Sequence, residues 1–316
     1  MSRPTRIRVA VVGGGKSCEH EVSLASAAAV AAALETTAYD VVRLTIDRRG
    51  GWHDRGGHPI GLAGAVHVLR SCDVVLPVVH GPHGEDGTLA ALCELAGLPY
   101  VGSGVGAGAV AMDKWVTKLV AGAVGIATTP GVLLSVATAA HHVWTHPVVV
   151  KPVAGGSSLG VTLAGAAEAL GPSLAAALAV DDRVLVEDVV VAREVDVAVL
   201  GRPDGSRLVA PALEIVMDGI FDHQTKYAGG ADFRVPAALT EAEVKALEDA
   251  AVAMYDALGC RGVARVDFFL TDAGPVLNEV NTMPGFTEHS QVPRMFAAAG
   301  LPYPGLLDLL VQGALT

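Results

Sequence analysis

Aromatic residues make up only 4% of these 316 residues, and the four cysteines, at 18, 72, 93 and 260, have no paired spacing. The first shortage shifts apolar burial onto alanine and valine, which supply much of the 51% hydrophobic content. The second argues against both a zinc site and a disulfide framework. Basic residues are also scarce: 22 Lys and Arg against 33 Asp and Glu leave a net charge of −11. A broad nucleic-acid-binding face needs clustered cations, so that class is excluded, and an anionic ligand must be held locally by a few lysines and a metal. No apolar run approaches the ~18 residues of a membrane span. Residues 7–12 are too short for a secretory segment and run straight into Gly13-Gly14-Gly15. A P-loop is missing too. Gly15-Lys16-Ser17 has its ending, but Ala10 stands where the first glycine belongs, and the dinucleotide fingerprint begun by Gly13 and Gly15 fails at Cys18. The expectation is a cytoplasmic globular enzyme of two or three domains.

What is present centres on Arg265-Val-Asp267-Phe-Phe-Leu and Pro275-Val-Leu-Asn-Glu279-Val-Asn281, two β-rich runs around a turn-forming segment. Side chains alternate along a strand, so Glu279 and Asn281 share a face, as do Arg265 and Asp267. With a five-residue connection, 271–275, Leu270 pairs with Val276 and Asp267 lies opposite Glu279. A four-residue connection puts the two acids on opposite faces. In the first register three oxygen-bearing side chains converge, and two buried carboxylates need a cation between them. Oxygen donors without Cys or His suit a hard ion, Mg²⁺ before Zn²⁺.

Along the rest of the chain, apolar strands at 7–12, 41–46 and 73–79 alternate with helical segments, including Ser23–Leu34 with Ser23 as its cap. This implies a parallel sheet covered on both faces, with ligands beyond the strand C-terminal ends. Two loops fall there: one carries Glu19, and the other is His80-Gly-Pro-His-Gly-Glu85-Asp86-Gly87. His80 either meets a substrate carboxylate or bonds within its loop. A Gly-rich connector at 102–108 marks a domain boundary. Lys151 ends an apolar strand and precedes Gly155-Gly156-Ser157-Ser158, small residues suited to a flap over phosphates. Glu187 and Glu194 stand on further strands. Residues 218–235, containing Lys226 and Tyr227, form a long polar loop that reads as a lid. Thr240 and Glu243 form a capping box that opens a helix.

Taken together, GGGKSCEHEVS, HGPHGEDG, GLPYVGSG, MDKWVTK, VVVKPVAGGSSLG, VLVEDVV, TKYAGG, CRGVARVDFFL and NEVNTMPGFTEHS resemble, in order and spacing, the D-alanine–D-alanine ligase family of the ATP-grasp superfamily. The resemblance spans essentially the whole chain. It implies an α/β fold: an N-terminal parallel-sheet, Rossmann-like domain (1–106), followed by a two-lobed ATP-grasp fold with mixed and antiparallel sheets. Its central lobe, with the Gly-Ser flap, is 107–187, and its C-terminal lobe, with the metal site and lid, is 188–316. It implies that Lys114, Lys151, Ser157, Ser158, Glu187, Val189 (through its backbone), Glu194 and Lys226 bind ATP. Asp267, Glu279 and Asn281 would ligate two Mg²⁺, with Mn²⁺ as a substitute. Glu19 resembles the carboxylate that meets the first D-alanine's ammonium, and Ser157 and Tyr227 its partners in a closing lid. His80 matches a residue near the first substrate. Arg265 and the Gly285 N–H look like donors to the tetrahedral intermediate, and Ser290 a carboxylate ligand for the second substrate.

The implied reaction joins two D-alanines through an acyl phosphate, for peptidoglycan precursor synthesis, in a homodimer whose partners are small molecules only. Glu288-His-Ser290-Gln291 departs from the Ser-His-Ser-Leu common in the family. That departure puts the second substrate in question: another D-amino acid, or D-lactate, or a self-resistance or biosynthetic variant. Tyr227 favours an amine acceptor. A non-catalytic ATP-binding homologue would have lost a metal ligand or Arg265, and all are retained.

Overall fold

The computed structural model describes residues 6–37, 39–216 and 232–316, and its strands fall into three sheets. The first comprises β1 (Arg8–Gly14), β2 (Asp40–Ile46), β3 (Trp52–His53) and β4 (Val74–Pro77), in the order β3-β2-β1-β4. β1 pairs in parallel with β2 and β4, as an apolar strand that returns through covering helices must. Those helices are α1 (His20–Glu35), α2 (Gly61–Leu69) and α3 (Thr88–Ala96). α1 begins earlier than expected, so Ser23 lies in its first turn instead of capping it. The Ser23 hydroxyl accepts from the Gly14 N–H at 2.8 Å and donates to the Val78 carbonyl, tying helix to sheet. Glu19 takes the cap position without a side-chain cap bond.

The glycine-rich stretch expected as a connector is largely helical. It enters α4 (Val105–Met112), and α5 (Lys114–Ala123) follows, with the Asp113 side chain capping it through the Val116 N–H at 2.9 Å. β5 (Ala127–Thr128) then leads to the central sheet of β6 (Gly131–Ser135), β7 (Val148–Pro152), β8 (Thr162–Ala164) and β9 (Arg183–Asp188), backed by α6 (Val136–Ala139) and α7 (Ala167–Leu178). Its order is β6-β9-β7-β8, antiparallel throughout. The third sheet contains β10 (Arg193–Gly201), β11 (Arg207–Val209), β12 (Leu213–Val216) and β13 (Asp232–Arg234), then α8 (Glu241–Ala257), β14 (Val263–Thr271) and β15 (Gly274–Asn281). Its order is β13-β12-β10-β14-β15-β5, with β11 beside β10, and α4 and α5 pack on β15. α9 (Gln291–Ala298) and α10 (Tyr303–Leu315) end the chain. The capping box opening α8 is present: the Glu243 N–H donates to Thr240 Oγ1 at 3.3 Å, and the Thr240 N–H to Glu243 Oε2 at 2.7 Å.

One core joins the first and third sheets, where Val9, Val11 and Leu76 meet Leu200, Met295, Phe296 and Leu306. The central sheet has its own core of Val150, Val184, Leu174 and Ala177. Each fully buried Leu or Phe contributes about 2 kcal/mol.

The β14–β15 hairpin departs from the expected connection. Thr271 pairs with Gly274, so only Asp272 and Ala273 turn the chain, and Leu270 faces Pro275 instead of Val276. A regular ladder from that turn would set Asp267 opposite Asn278 and send Glu279 and Asn281 to the other face. A bulge beside Asp267 absorbs Asn278 as an extra residue, which restores Asp267 opposite Glu279 and Arg265 opposite Asn281. On the neighbouring strand Asp196 pairs with Asp267, so three carboxylates cross the sheet in one row.

Candidate active site

Two cavities meet where the three sheets converge. The larger, about 410 Å³, lies between the central and third sheets and is lined by Lys114, Lys151, Ser157, Ser158, Glu187, Val189 and Glu194. The smaller, about 220 Å³, opens toward the first sheet and is lined by Glu19, His80, Gly285, Ser290 and Asn281. Lys114, Gly156, Ser157, Arg265, Glu279 and Gln291 line both, so the cavities share a junction. Asp267 lines the larger one. Every described residue expected at the site therefore lines one of these cavities or both; Lys226 and Tyr227 lie outside the described residues.

The larger cavity is rich in cations already held by acids. Lys118 of α5 and Lys151 of β7 both pair with the buried Glu187 of β9, Lys151 at 2.7 Å. Burial works against the Glu187 charge, but the two ammonium groups outweigh it and hold its pKa below the usual carboxylate range. Lys118 also donates to the Thr129 carbonyl, and burial pulls its pKa down. Lys151 donates to the bulged Asn278 at 3.2 Å, joining the central sheet to the third. Lys114 donates to the Gly155 carbonyl at 2.8 Å and pairs with Glu279 at 3.1 Å. Burial opposes its charge, and Glu279, Glu85 and Glu187 more than restore it.

The flap joins β7 to β8 and closes onto α1's start. Ser157 Oγ donates to Glu19 Oε1. Ser157 and Ser158 both take left-handed φ, 50° and 55°, which L-residues rarely adopt and which costs of order 1–3 kcal/mol each. Gly156 is required for close approach: a Cβ there would lie 2.9 Å from the Glu19 Cδ.

At the junction, Arg265 donates from Nε and Nη2 to the two Asp267 oxygens, each at 2.7 Å, and from Nη1 to Gln291 Oε1 at 2.7 Å. Burial disfavours its charge, but Asp267 and Asp196 outweigh that and raise its pKa. Asn281 Nδ2 donates to Asp267 Oδ2 at 3.0 Å. Among the described residues no group of three or more His, Cys, Asp or Glu side chains is placed to hold a metal. The set at hand is two carboxylates and an amide on adjacent strands. Such a set fits a hard cation whose remaining ligands are phosphate and water oxygens.

His80 makes its hydrogen bonds outside its own loop, contrary to the reading of a bond within it. Its Nδ1 lies 2.8 Å from the Met283 carbonyl and its Nε2 3.2 Å from Ser26 Oγ. The carbonyl only accepts, so the proton sits on Nδ1 and the serine hydroxyl donates to Nε2. Burial lowers the ring's pKa and keeps it neutral. Ser26 Oγ in turn accepts the Phe286 N–H at 3.1 Å, so His80 helps shape the segment carrying Gly285. Ser290, just before α9, accepts the Thr287 N–H at 3.0 Å.

Four residues of the site were not assigned from sequence: Lys118, Glu85, Asp196 and Asn278. Lys118 follows Lys114 by four, one helical turn on the same face, a signal that was legible. Glu85 accepts the Gly81 N–H at 2.7 Å and the Met283 N–H at 3.2 Å, bridging the His80 loop to the Gly285 segment. Burial and the Glu19 charge push its pKa up to about 8, against the pull of those two N–H groups. Asp196 shares the Glu194 face by strand alternation. Asn278 had no signal, because it enters only through the bulge.

Comparison with known proteins bears on the whole chain. Residues 8–68 and 60–103 match the family model described as D-ala D-ala ligase N-terminus, and residues 131–312 match D-ala D-ala ligase C-terminus. The D-alanine–D-alanine ligase of Mycolicibacterium vanbaalenii is 41% identical, over 98% of this chain and 97% of that protein. That of Mycobacterium avium is 39% identical, over 100% and 98%. Among solved structures, the VanG D-Ala:D-Ser ligase of Enterococcus faecalis superposes with a TM-score of 0.87 at 33% identity, over 98% of this chain and 100% of that one. The Bacillus anthracis D-alanine–D-alanine ligase complexed with ATP gives 0.80 at 26% identity, over 98% and 97%.

Proposed function

The chain belongs to the D-alanine–D-alanine ligase family, and from that premise we propose that it spends ATP to join two D-alanines through an acyl phosphate. The observation that carries this reading is the shared junction. Asp267 and Glu279 face each other between Lys114 and Arg265, where a lysine-rich cavity meets the one lined by Glu19.

A carboxylate is a poor electrophile and must first be phosphorylated. ATP would lie along Lys114, Lys151, Ser157, Ser158, Glu187, Val189 and Glu194. Lys151 and Lys114 move from their acid partners toward the phosphates, which lowers the cost of the charge that builds in transfer. Asp267, Glu279 and Asn281 would hold two Mg²⁺ ions, which would supply positive charge to offset that of the phosphates. Glu19 receives the ammonium of the first D-alanine. The second D-alanine lies with its carboxylate at Ser290, and its amine attacks the acyl carbon and expels phosphate. As a free amino acid it carries an ammonium group, which must lose a proton before the amine can attack. Arg265 and the Gly285 N–H stabilise the resulting oxyanion. The Ser157 flap, closed onto Glu19, keeps water from the acyl phosphate.

We place this activity in the cytoplasm and in a homodimer, and divide the chain into units at about residues 106 and 187; among the described residues no helix is long and apolar enough to cross a membrane. Phosphate release from ATP with D-alanine alone, then with D-alanine plus D-serine or D-lactate, tests the reading. Release with D-alanine alone and a dipeptide product support it, and no release under any pairing overturns it. A second reading, another D-amino acid as acceptor, is favoured by the likeness to the solved D-Ala:D-Ser ligase.

A further inference from the structure

Gln291 is the residue whose presence the proposed reaction leaves unexplained. As the first residue of α9 it lines both cavities, and a polar side chain there invites the idea that it reads the acceptor. Its hydrogen bonds point elsewhere. Oε1 accepts from Arg265 Nη1 at 2.7 Å, and Nε2 donates to Asp196 Oδ2 at 2.9 Å. Arg265 only donates and an ionised aspartate only accepts, so a single orientation of the amide satisfies both. Asp196 Oδ2 also lies 3.5 Å from Arg265 Nε. The buried Arg265 is thus contested by two aspartates, Asp267 gripping it with two bonds and Asp196 approaching the same Nε that one of those bonds uses. The Gln291 amide occupies the Asp196 oxygen nearest the guanidinium while taking an N–H of its own.

We propose that Gln291 and Asp196 form a cradle that holds the guanidinium of Arg265 at the reacting carbonyl, so that Gln291 is a positioning residue and not the reader of the second substrate. This rests on Arg265 serving the oxyanion of the ligase reaction. Without the amide, Asp196 draws Arg265 toward itself, and Asp267, when it also serves a cation, grips the guanidinium less well. An apolar residue at 291 would demand a different anchor for Arg265, and Asp196 is the partner that makes glutamine necessary in this chain.

The test is a swap that reverses the bridge. Gln291→Leu lowers kcat roughly ten- to a hundred-fold, the loss of one charge-assisted bond, with the acceptor KM and the D-serine to D-alanine ratio within about threefold of wild type. Gln291→Glu sets a carboxylate against Asp196 and is at least as impaired. Adding Asp196→Asn to it supplies an amide N–H that donates to the new carboxylate, which still accepts from Arg265, and restores most of kcat. Nucleotide affinity by calorimetry stays unchanged throughout, which separates misplaced Arg265 from a damaged fold. Unchanged kcat in Gln291→Leu overturns the cradle, as does a changed acceptor ratio with kcat intact, or a double variant no better than Gln291→Glu. Wild-type protein that releases no phosphate with any D-amino acid overturns the ligase reading itself, and removes the oxyanion the cradle would serve.

Discussion

At the residue scale, the site is a set of charges held in check by one another. Glu187 is shared between two lysines, and the sharing matters because an acid bound to one lysine alone grips it harder. Lys118→Met leaves Glu187 to Lys151, so Lys151 is held back from the phosphates. The expected result is an ATP Kd weakened about tenfold, the equivalent of 1.4 kcal/mol, with D-alanine affinity intact by calorimetry; an unchanged ATP Kd sinks the sharing argument. Glu279 is the counter-charge to Lys114 and sits opposite Asp267. Glu279→Gln keeps the shape but removes the charge, and phosphate release should fall by roughly a hundredfold or more, with circular dichroism unaltered. Near-native turnover would refute the cation assignment at that carboxylate. Both charges are visible as letters in the sequence. Their pairing is not, because Lys118, Lys151 and Glu187 come from three elements that only the fold brings together.

At the element scale, the hairpin shows what strand periodicity can and cannot carry. Alternation correctly put Arg265 with Asp267 and Glu279 with Asn281. The face each pair shares depends on the turn and on any extra residue between them. The two-residue turn alone would have separated the pairs, and the bulge at Asn278 rejoins them. The sequence left two registers open, facing and opposed, and nothing in it signals the bulge that decides for the facing one. The flap was legible as Gly-Gly-Ser-Ser, but its partner on α1 was known only through resemblance. Glycine at 156 lets the flap lie against Glu19. Gly156→Ala needs the Glu19 carboxylate to swing aside, which breaks its bond from Ser157. The flap's stability should change by less than about 1 kcal/mol, since a flexible side chain yields before backbone does. The KM for the first D-alanine should rise about tenfold or more, measured by phosphate release. A variant with unchanged KM would separate the flap from first-substrate binding.

At the scale of the molecule, the first and third sheets share a core, and near the site Glu85 joins them alongside the His80–Met283 and Ser26–Phe286 bonds. Its carboxyl bridges the loop after β4 to the segment after β15, and burial together with Glu19 raises its pKa from 4.5 to about 8. Between those values the folded protein holds a proton that the unfolded chain has released. Stability therefore falls as pH rises through that window, being fullest below about 4.5 and lost once pH passes about 8. The sign is opposite to that of a salt-bridged acid, such as Glu187, whose contribution is present at neutral pH and disappears on acidification. Glu85→Gln cannot titrate. It loses one N–H acceptor and starts less stable at low pH, but its melting temperature should not share the decline. The difference between wild type and variant should thus shrink as pH is raised from about 5 to about 8, in thermal melts at fixed ionic strength without nucleotide. A difference that stays constant across that range would show that Glu85 is already ionised in the folded protein and that the two N–H bonds, not desolvation, govern the seam between the sheets.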